Sequence, residues 1–218
     1  RVCAMDRRGS GLSERLSPQD LPPLEVLVDD LCAVLDAVDV RRTSVLAWAD
    51  GAMQALLFAA MHPERVERLI LFAPAACGSA RPDYPWQYDE DDWAAYLAEI
   101  REGWGSTAYF QTLADRWWPS VARDPAMVRQ MTSYFRGAVN ATAAETLERL
   151  YSETDVRDVL PLVAAPTLVL HRTDDLCEPV GQGPPFHKGH DHVRLAVVLA
   201  HVVDGTDVGV TDPGDQAG

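Results

Sequence analysis

The sequence predicts an α/β protein: a mostly parallel sheet with helices on both faces, carrying an inserted helical cap. Three observations predict it. Short apolar runs alternate with longer stretches of helical periodicity as far as Phe72. An aromatic-rich stretch of helical spacing, residues 77–155, then interrupts the alternation. A further apolar run, "PTLVL" (Pro166–Leu170), resumes it. Strands separated by helices pair in parallel, because a parallel neighbour is reached only through a crossover.

The elements follow in order. "RVCAM" (Arg1–Met5) reads as a buried strand feeding the polar, glycine-rich turn "DRRGSGLS" (Asp6–Ser13). In "LEVLVDDLCAVLDAV" the apolar positions Leu24, Leu27, Val28, Leu31, Val34, Leu35 and Val38 recur at helical spacing, with Asp29, Asp30 and Asp36 off the stripe. "TSVLAWA" (Thr43–Ala49) reads as a second buried strand, and "GAMQALLFAAMH" as a helix of strong formers stopped by Pro63. Leu69–Phe72 is the third strand, and Ala165–Asp175 contains the fourth, after the helical "VRDVLPLV". Val193–Val203 reads as a fifth strand or a short helix, and residues 204–218 as a disordered acidic tail.

Within the insertion lie Trp86, Trp93, Trp104, Trp117 and Trp118, with several tyrosines. Most of these rings are expected to bind small helices to the body, and a minority to line an apolar pocket under a lid.

Composition narrows the function. The chain has 218 residues, enough for a single domain with a sizeable core. With 19 basic and 33 acidic residues the net charge is −14, which argues against nucleic acid or an anionic membrane surface as partner. No apolar run reaches the roughly 20 residues of a spanning helix, so no membrane insertion is expected. The four cysteines (Cys3, Cys32, Cys77, Cys177) form no C-x-x-C pair, which fits reduced thiols in a cytoplasmic protein. "RRGSGLS" lacks the G-K-[ST] ending of a phosphate loop, and no cofactor motif is present, so no cofactor is expected.

Four pieces in order resemble the α/β-hydrolase superfamily over about residues 1–180. "DRRGSGLS" is similar to its D-x-R-G-x-G-x-S strand-end motif. "LAWADGAMQALLFAAMHPERV" (Leu46–Val66) is similar to its nucleophile elbow and following helix. "HPERVERLILF" is similar to the continuation into the next strand, and "PTLVLHRTDD" to the strand that ends at the acidic triad member. More narrowly, the mix of "DRRGSGLS", "LLFAAMHPERV" and "DVRDVLP…PTLVLHRT" is similar to hydrolase-like domains that accompany bacterial class III adenylate cyclases.

The elbow pattern G-x-S-x-G holds its nucleophile on a strained strand-to-helix turn with small residues two before and two after. Aligned on Ala49 it reads Ala47-Trp48-Ala49-Asp50-Gly51, which places alanine where the family has its nucleophile. The rival register, on Asp50, sets Trp48 two positions before the turn, where its bulk should clash. Ala49 is therefore favoured, while aspartate nucleophiles are known in related enzymes.

The resemblance implies Asp175 as the acid, with Asp174 at the usual glycine. It leaves the histidine open. "GHDH" (Gly189–His192) has similar letters but lies too soon after Asp175, and His201 fits the spacing better without the local motif. His187, His190, His192 and Asp191 also suggest metal ligands, but a polar loop accounts for them and no metal is expected. His62 reads as a helix-end residue and His171 as a packed one.

One oxyanion donor would be the backbone N–H of Asp50. The other belongs to a loop before the strand that Arg1–Met5 resembles, so that loop and the preceding strands are expected to be missing. A chain of this kind would be a fragment, a degenerate product, or a protomer that covers its open sheet edge in a homo-oligomer.

Three functions follow. The favoured one is a hydrolase-fold protein with lost or strongly reduced activity, still suited to a small apolar or acyl-containing molecule. The second is an active small-molecule hydrolase using Asp50 or an activated water. The third is a ligand-binding or regulatory domain.

Overall fold

The computed structural model describes residues 2–16, 21–172, 195–203 and 207–211, the last two stretches as strands. Helix α1 (Leu24–Ala37) turns Leu27, Val28 and Leu35 inward, and Asp39, just past its cap residue Val38, turns the chain away with a φ of 54°. Strand β1 (Thr43–Trp48) runs into helix α2 (Gly51–Met61), and β2 (Val66–Phe72) follows after Pro63. Seven of the eleven α2 residues are buried, so α2 is a core helix rather than a one-sided surface helix.

The sheet has the order β1-β2-β3-β4-β5, with β3 at Thr167–Arg172, β4 at Leu195–Val203 and β5 at Asp207–Thr211. The pairs β1–β2, β2–β3 and β3–β4 are parallel, and β5 closes the far side antiparallel to β4. The main core joins α1, α2 and a 3₁₀ turn (Arg157–Leu162) to the sheet face that carries Val45, Ala47, Leu69 and Leu71.

The cap comprises α3 (Glu90–Gly103), α4 (Thr107–Trp117), the single turn α5 (Pro119–Ala122), α6 (Pro125–Ala138) and α7 (Ala141–Glu153). Its four long helices each start on a short polar side chain. Asp89, Ser106, Asp124 and Asn140 accept backbone N–H groups that the first turn leaves unpaired. The cap has its own core, in which Trp93, Tyr96, Phe110 and Leu113 are buried and Phe110 stacks on Phe135 at 5.4 Å. Trp93 donates its indole N–H to Gly78 O at 2.9 Å, and Trp104 donates to Val139 O at 3.0 Å. These rings therefore bind cap segments chiefly to one another, where they were expected to bind them to the body.

Three expectations are corrected. Arg1–Met5 is not a buried strand: residues 2–5 join no ladder and Val2 is exposed, since a strand persists only with a neighbour to take its backbone bonds. Thr43–Trp48 is a strand but not a buried one. Leu46 and Trp48 are 72% and 64% exposed, because β1 is the last strand of the described sheet and its second face is uncovered. Within the expected tail 204–218, residues Asp207–Thr211 form β5, whose alternating valines pair with β4. Within Val193–Val203, left between strand and helix, Leu195–Val203 forms β4.

Candidate active site

The turn after β1 is where the sequence places the candidate nucleophile elbow. Ala49 has φ 48°, in the left-handed region, where a non-glycine residue costs about 1–2 kcal/mol. Two bonds hold it there: its N–H donates to Phe72 O at 3.0 Å, and its carbonyl accepts from Ala52 at 2.9 Å. Asp50, by contrast, has φ −57° and ψ −29° and is the N-cap of α2. The strained position of the turn is thus Ala49, whose side chain is a single methyl group. The neighbouring strand ends in the same way: Ala73 follows β2 with φ 47°, and its N–H donates to Leu170 O at 2.8 Å. Sequence reasoning missed this second left-handed alanine, since "FAPAA" carries no glycine to signal it.

Gly51 does not behave as the pattern suggested. A Cβ built on it would meet no described atom within 4 Å, so close backbone approach is not what calls for glycine there among the described residues. Trp48, one residue before the turn, lies exposed and edge-on to Phe72 at 5.8 Å.

The motif loop Asp6–Ser13 is folded by Asp6. Its carboxylate accepts the Leu12 N–H at 3.0 Å and its carbonyl accepts the Ser13 hydroxyl at 2.6 Å. Gly9 and Gly11 have φ of 92° and 56°, and a Cβ at Gly11 would fall 2.1 Å from the Asp6 carboxyl group. Arg8 anchors the loop to α1 through Asp30, at 2.7 and 2.9 Å. The Gly11 N–H and the Arg15 guanidinium both reach Ala138 O, at 2.9 and 2.7 Å, and so tie the loop to the end of α6.

This loop delivers Arg7 to the elbow, where its guanidinium pairs with the Asp50 carboxylate. The other Asp50 oxygen accepts the Gly51 N–H at 3.0 Å. The Asp50 N–H, the expected oxyanion donor, gives its proton to no described acceptor. Beside the pair a small cavity opens between α2 and α7, with Leu27, Met53, Leu147 and Leu150 in its wall.

The remaining candidates are placed differently. Asp174, Asp175, His187, His190 and His192 lie outside the described residues. His201 lies within β4, opposite Gly209, rather than after the strand. Arg172 is level with Ala200, so His201 is at the same carboxyl end of the sheet as Ala49. Three strand spacings separate β1 from β4, roughly 14 Å. His171 is buried in β3, and His62 caps α2 beside Phe58, at 5.7 Å. Among the described residues no cluster of histidine, cysteine and carboxylate side chains could hold a metal ion, no helix is long and apolar enough to cross a membrane, and Cys3, Cys32 and Cys77 are free thiols.

A parallel α/β sheet with a cap and a left-handed strand-to-helix turn at the carboxyl end of β1 defines a hydrolase-type scaffold. The chain belongs to the α/β-hydrolase fold family, whose model matches residues 1–197. It is 28% identical over 199 residues to a pimeloyl-[acyl-carrier protein] methyl ester esterase of Nitrosomonas europaea, covering 90% of this chain and 75% of that one. It is 30% identical over 164 residues to a 2-hydroxymuconate semialdehyde hydrolase of Pseudomonas sp., covering 60% of this chain and 56% of that one. An esterase from Exiguobacterium antarcticum superposes with a TM-score of 0.75 at 19% identity, over 88% of this chain and 70% of that one, and so shares the fold. Relatives of this chain include esterases and other hydrolases, and the chain spans 75% of the length of one of them and 53% of another.

Proposed function

We propose that this chain is an α/β-hydrolase-fold protein whose serine-hydrolase turnover is lost or strongly reduced, and whose elbow remains a site for a small apolar or acyl-containing molecule. One observation carries the reading: the strained residue of the elbow is Ala49, which has no atom to attack an acyl carbon. Loss of a triad nucleophile costs roughly 10⁶ in turnover. The Asp50 N–H supplies one oxyanion donor, so the scaffold of the site outlasts its nucleophile. Asp175 and His201 are the acid and base that this reading assigns to the vestigial triad. The Asp50 carboxylate is engaged by Arg7 and by its own helix, which weakens its case as a substitute nucleophile.

The test is hydrolysis of short-chain p-nitrophenyl esters by the unmodified chain, by Ala49→Ser and by Asp50→Asn. Background rates for the unmodified chain and a measurable gain for Ala49→Ser are expected. Turnover by the unmodified chain that disappears in Asp50→Asn would overturn the reading and make Asp50 the nucleophile.

A further inference from the structure

Arg7 and Asp50 both fill variable positions of their motifs. Arg7 is the open position of D-x-R-G-x-G-x-S, and Asp50 is the residue after the elbow alanine. The fold brings these two freely chosen residues together with opposite charges. The pair lines a cavity together with Leu24, Leu27, Met53, Leu147 and Leu150, and with the more polar Gln54, Tyr151 and Thr154. Asp50 is the only acidic partner of the Arg7 guanidinium among the described residues, so most of its five N–H donors are uncommitted. The two side chains are 30% and 37% exposed, and an ion pair of that exposure adds little to folding. Stability alone does not explain the pairing. The remaining space, about 20 Å³, is enough for one water or one methyl-sized group.

A guanidinium facing an apolar wall is a carboxylate-recognition element. Here a carboxylate already occupies it, and that carboxylate belongs to the chain. We propose that Arg7 is the anchor of a binding site for short aliphatic carboxylates, and that Asp50 is a built-in competitor that keeps this site occupied. A ligand carboxylate binds by taking the place of the Asp50 carboxylate on Arg7, while its first carbons face the leucine wall. A carboxylate is also the acid half of any ester that an elbow of this family would receive. The proposal therefore rests on the reading of the elbow as a ligand site.

The experiment is an equilibrium titration with sodium acetate and sodium propionate at constant ionic strength, followed by the amide NMR signals of Gly51 and Met53. The proteins are the unmodified chain, Asp50→Ala, and the double variant Arg7→Gln/Asp50→Ala. Asp50→Ala is expected to bind acetate at least about tenfold more tightly than the unmodified chain, the scale of one charge-assisted contact. Propionate should bind it about threefold to fourfold more tightly again, since one methylene leaves water. The double variant should lose the tenfold gain. Equal binding by Asp50→Ala and the double variant would overturn the proposal, as would propanol gaining as much as propionate. If Asp50→Ala fails to fold, Asp50→Asn keeps the shape and the cap and must give the same order of affinities. Binding at equilibrium is independent of turnover. An unmodified chain that hydrolyses esters would refute the lost-activity reading and leave this result standing, and a failed titration would leave the turnover result intact.

Discussion

The N–H of Ala49 donates to the carbonyl of Phe72 at 3.0 Å, and Ala73, the residue after Phe72, repeats the left-handed backbone of Ala49 on the next strand. Two adjacent parallel strands thus end in matched turns at one end of the sheet. The bond to Phe72 fixes the direction in which the Ala49 side chain leaves the backbone.

Substitution at Ala49 is expected to sort by side-chain shape. A β-branched residue is poorly compatible with a φ of 48°, so Ala49→Val should lower stability by about 2 kcal/mol. Ala49→Ser adds one oxygen without branching and should stay within about 1 kcal/mol of the unmodified chain. Urea unfolding monitored by circular dichroism separates the two.

The cap depends on Gly78 and on the Phe110–Phe135 stack. A Cβ at Gly78 would lie 1.9 Å from Tyr151 O, a backbone atom of α7, so Gly78→Ala must shift one of the two chains. The expected cost is about 2–3 kcal/mol. Phe110 is buried, and Phe110→Ala should cost about 3–5 kcal/mol through the cavity it leaves. Both losses are read as lowered urea midpoints, with the tryptophan fluorescence of the cap as probe.

Arg157 gives the stability an acid limb. Its guanidinium meets Asp155 at 2.7 Å and Asp83 at 2.8 Å, and those hydrogen bonds hold both carboxyl groups below the usual carboxylate range. A carboxyl group with a lowered folded pKa contributes stability above its unfolded pKa, about 3.9, and loses it as pH falls through the lowered folded value. The Asp83 side chain is mostly exposed, so solvent screening leaves Asp155 as the larger contributor. Arg157→Gln should therefore lower the urea midpoint at pH 7, and the difference should shrink as the pH is taken from about 5 to about 2. A difference that stays constant across that range would assign the effect of Arg157 to its packing on the Tyr84 ring instead.

The outer side of β1 presents Leu46 and Trp48 beside backbone groups that no described strand pairs. An open, apolar edge of this kind pairs with another chain, and a lysine on it prevents that. Sedimentation of the unmodified chain at rising concentration should show association, and Leu46→Lys should sediment as a smaller species under the same conditions. A single species of monomer mass for both would rule out a self-covered edge.

The sequence by itself determined the class of fold and the location of the elbow. Helical spacing from Leu24 to Val38, the stop at Pro63 and the apolar run of β3 are local signals, legible in the order of residues before their packing partners are known. It also determined that alanine stands at position 49. Tertiary structure alone decided what surrounds that alanine. Residues 2–5 and β1 have similar apolar sequences, yet only β1 is a strand, because only β1 has a neighbour to bond. The left-handed turns at Ala49 and Ala73 are imposed by bonds to the next strand, which no alanine can announce. The meeting of Arg7 with Asp50 joins residues far apart in the chain, through a loop pinned to α1 and α6. Charge pairing across the fold depends on which loops share a surface, and that is settled by packing rather than by pattern.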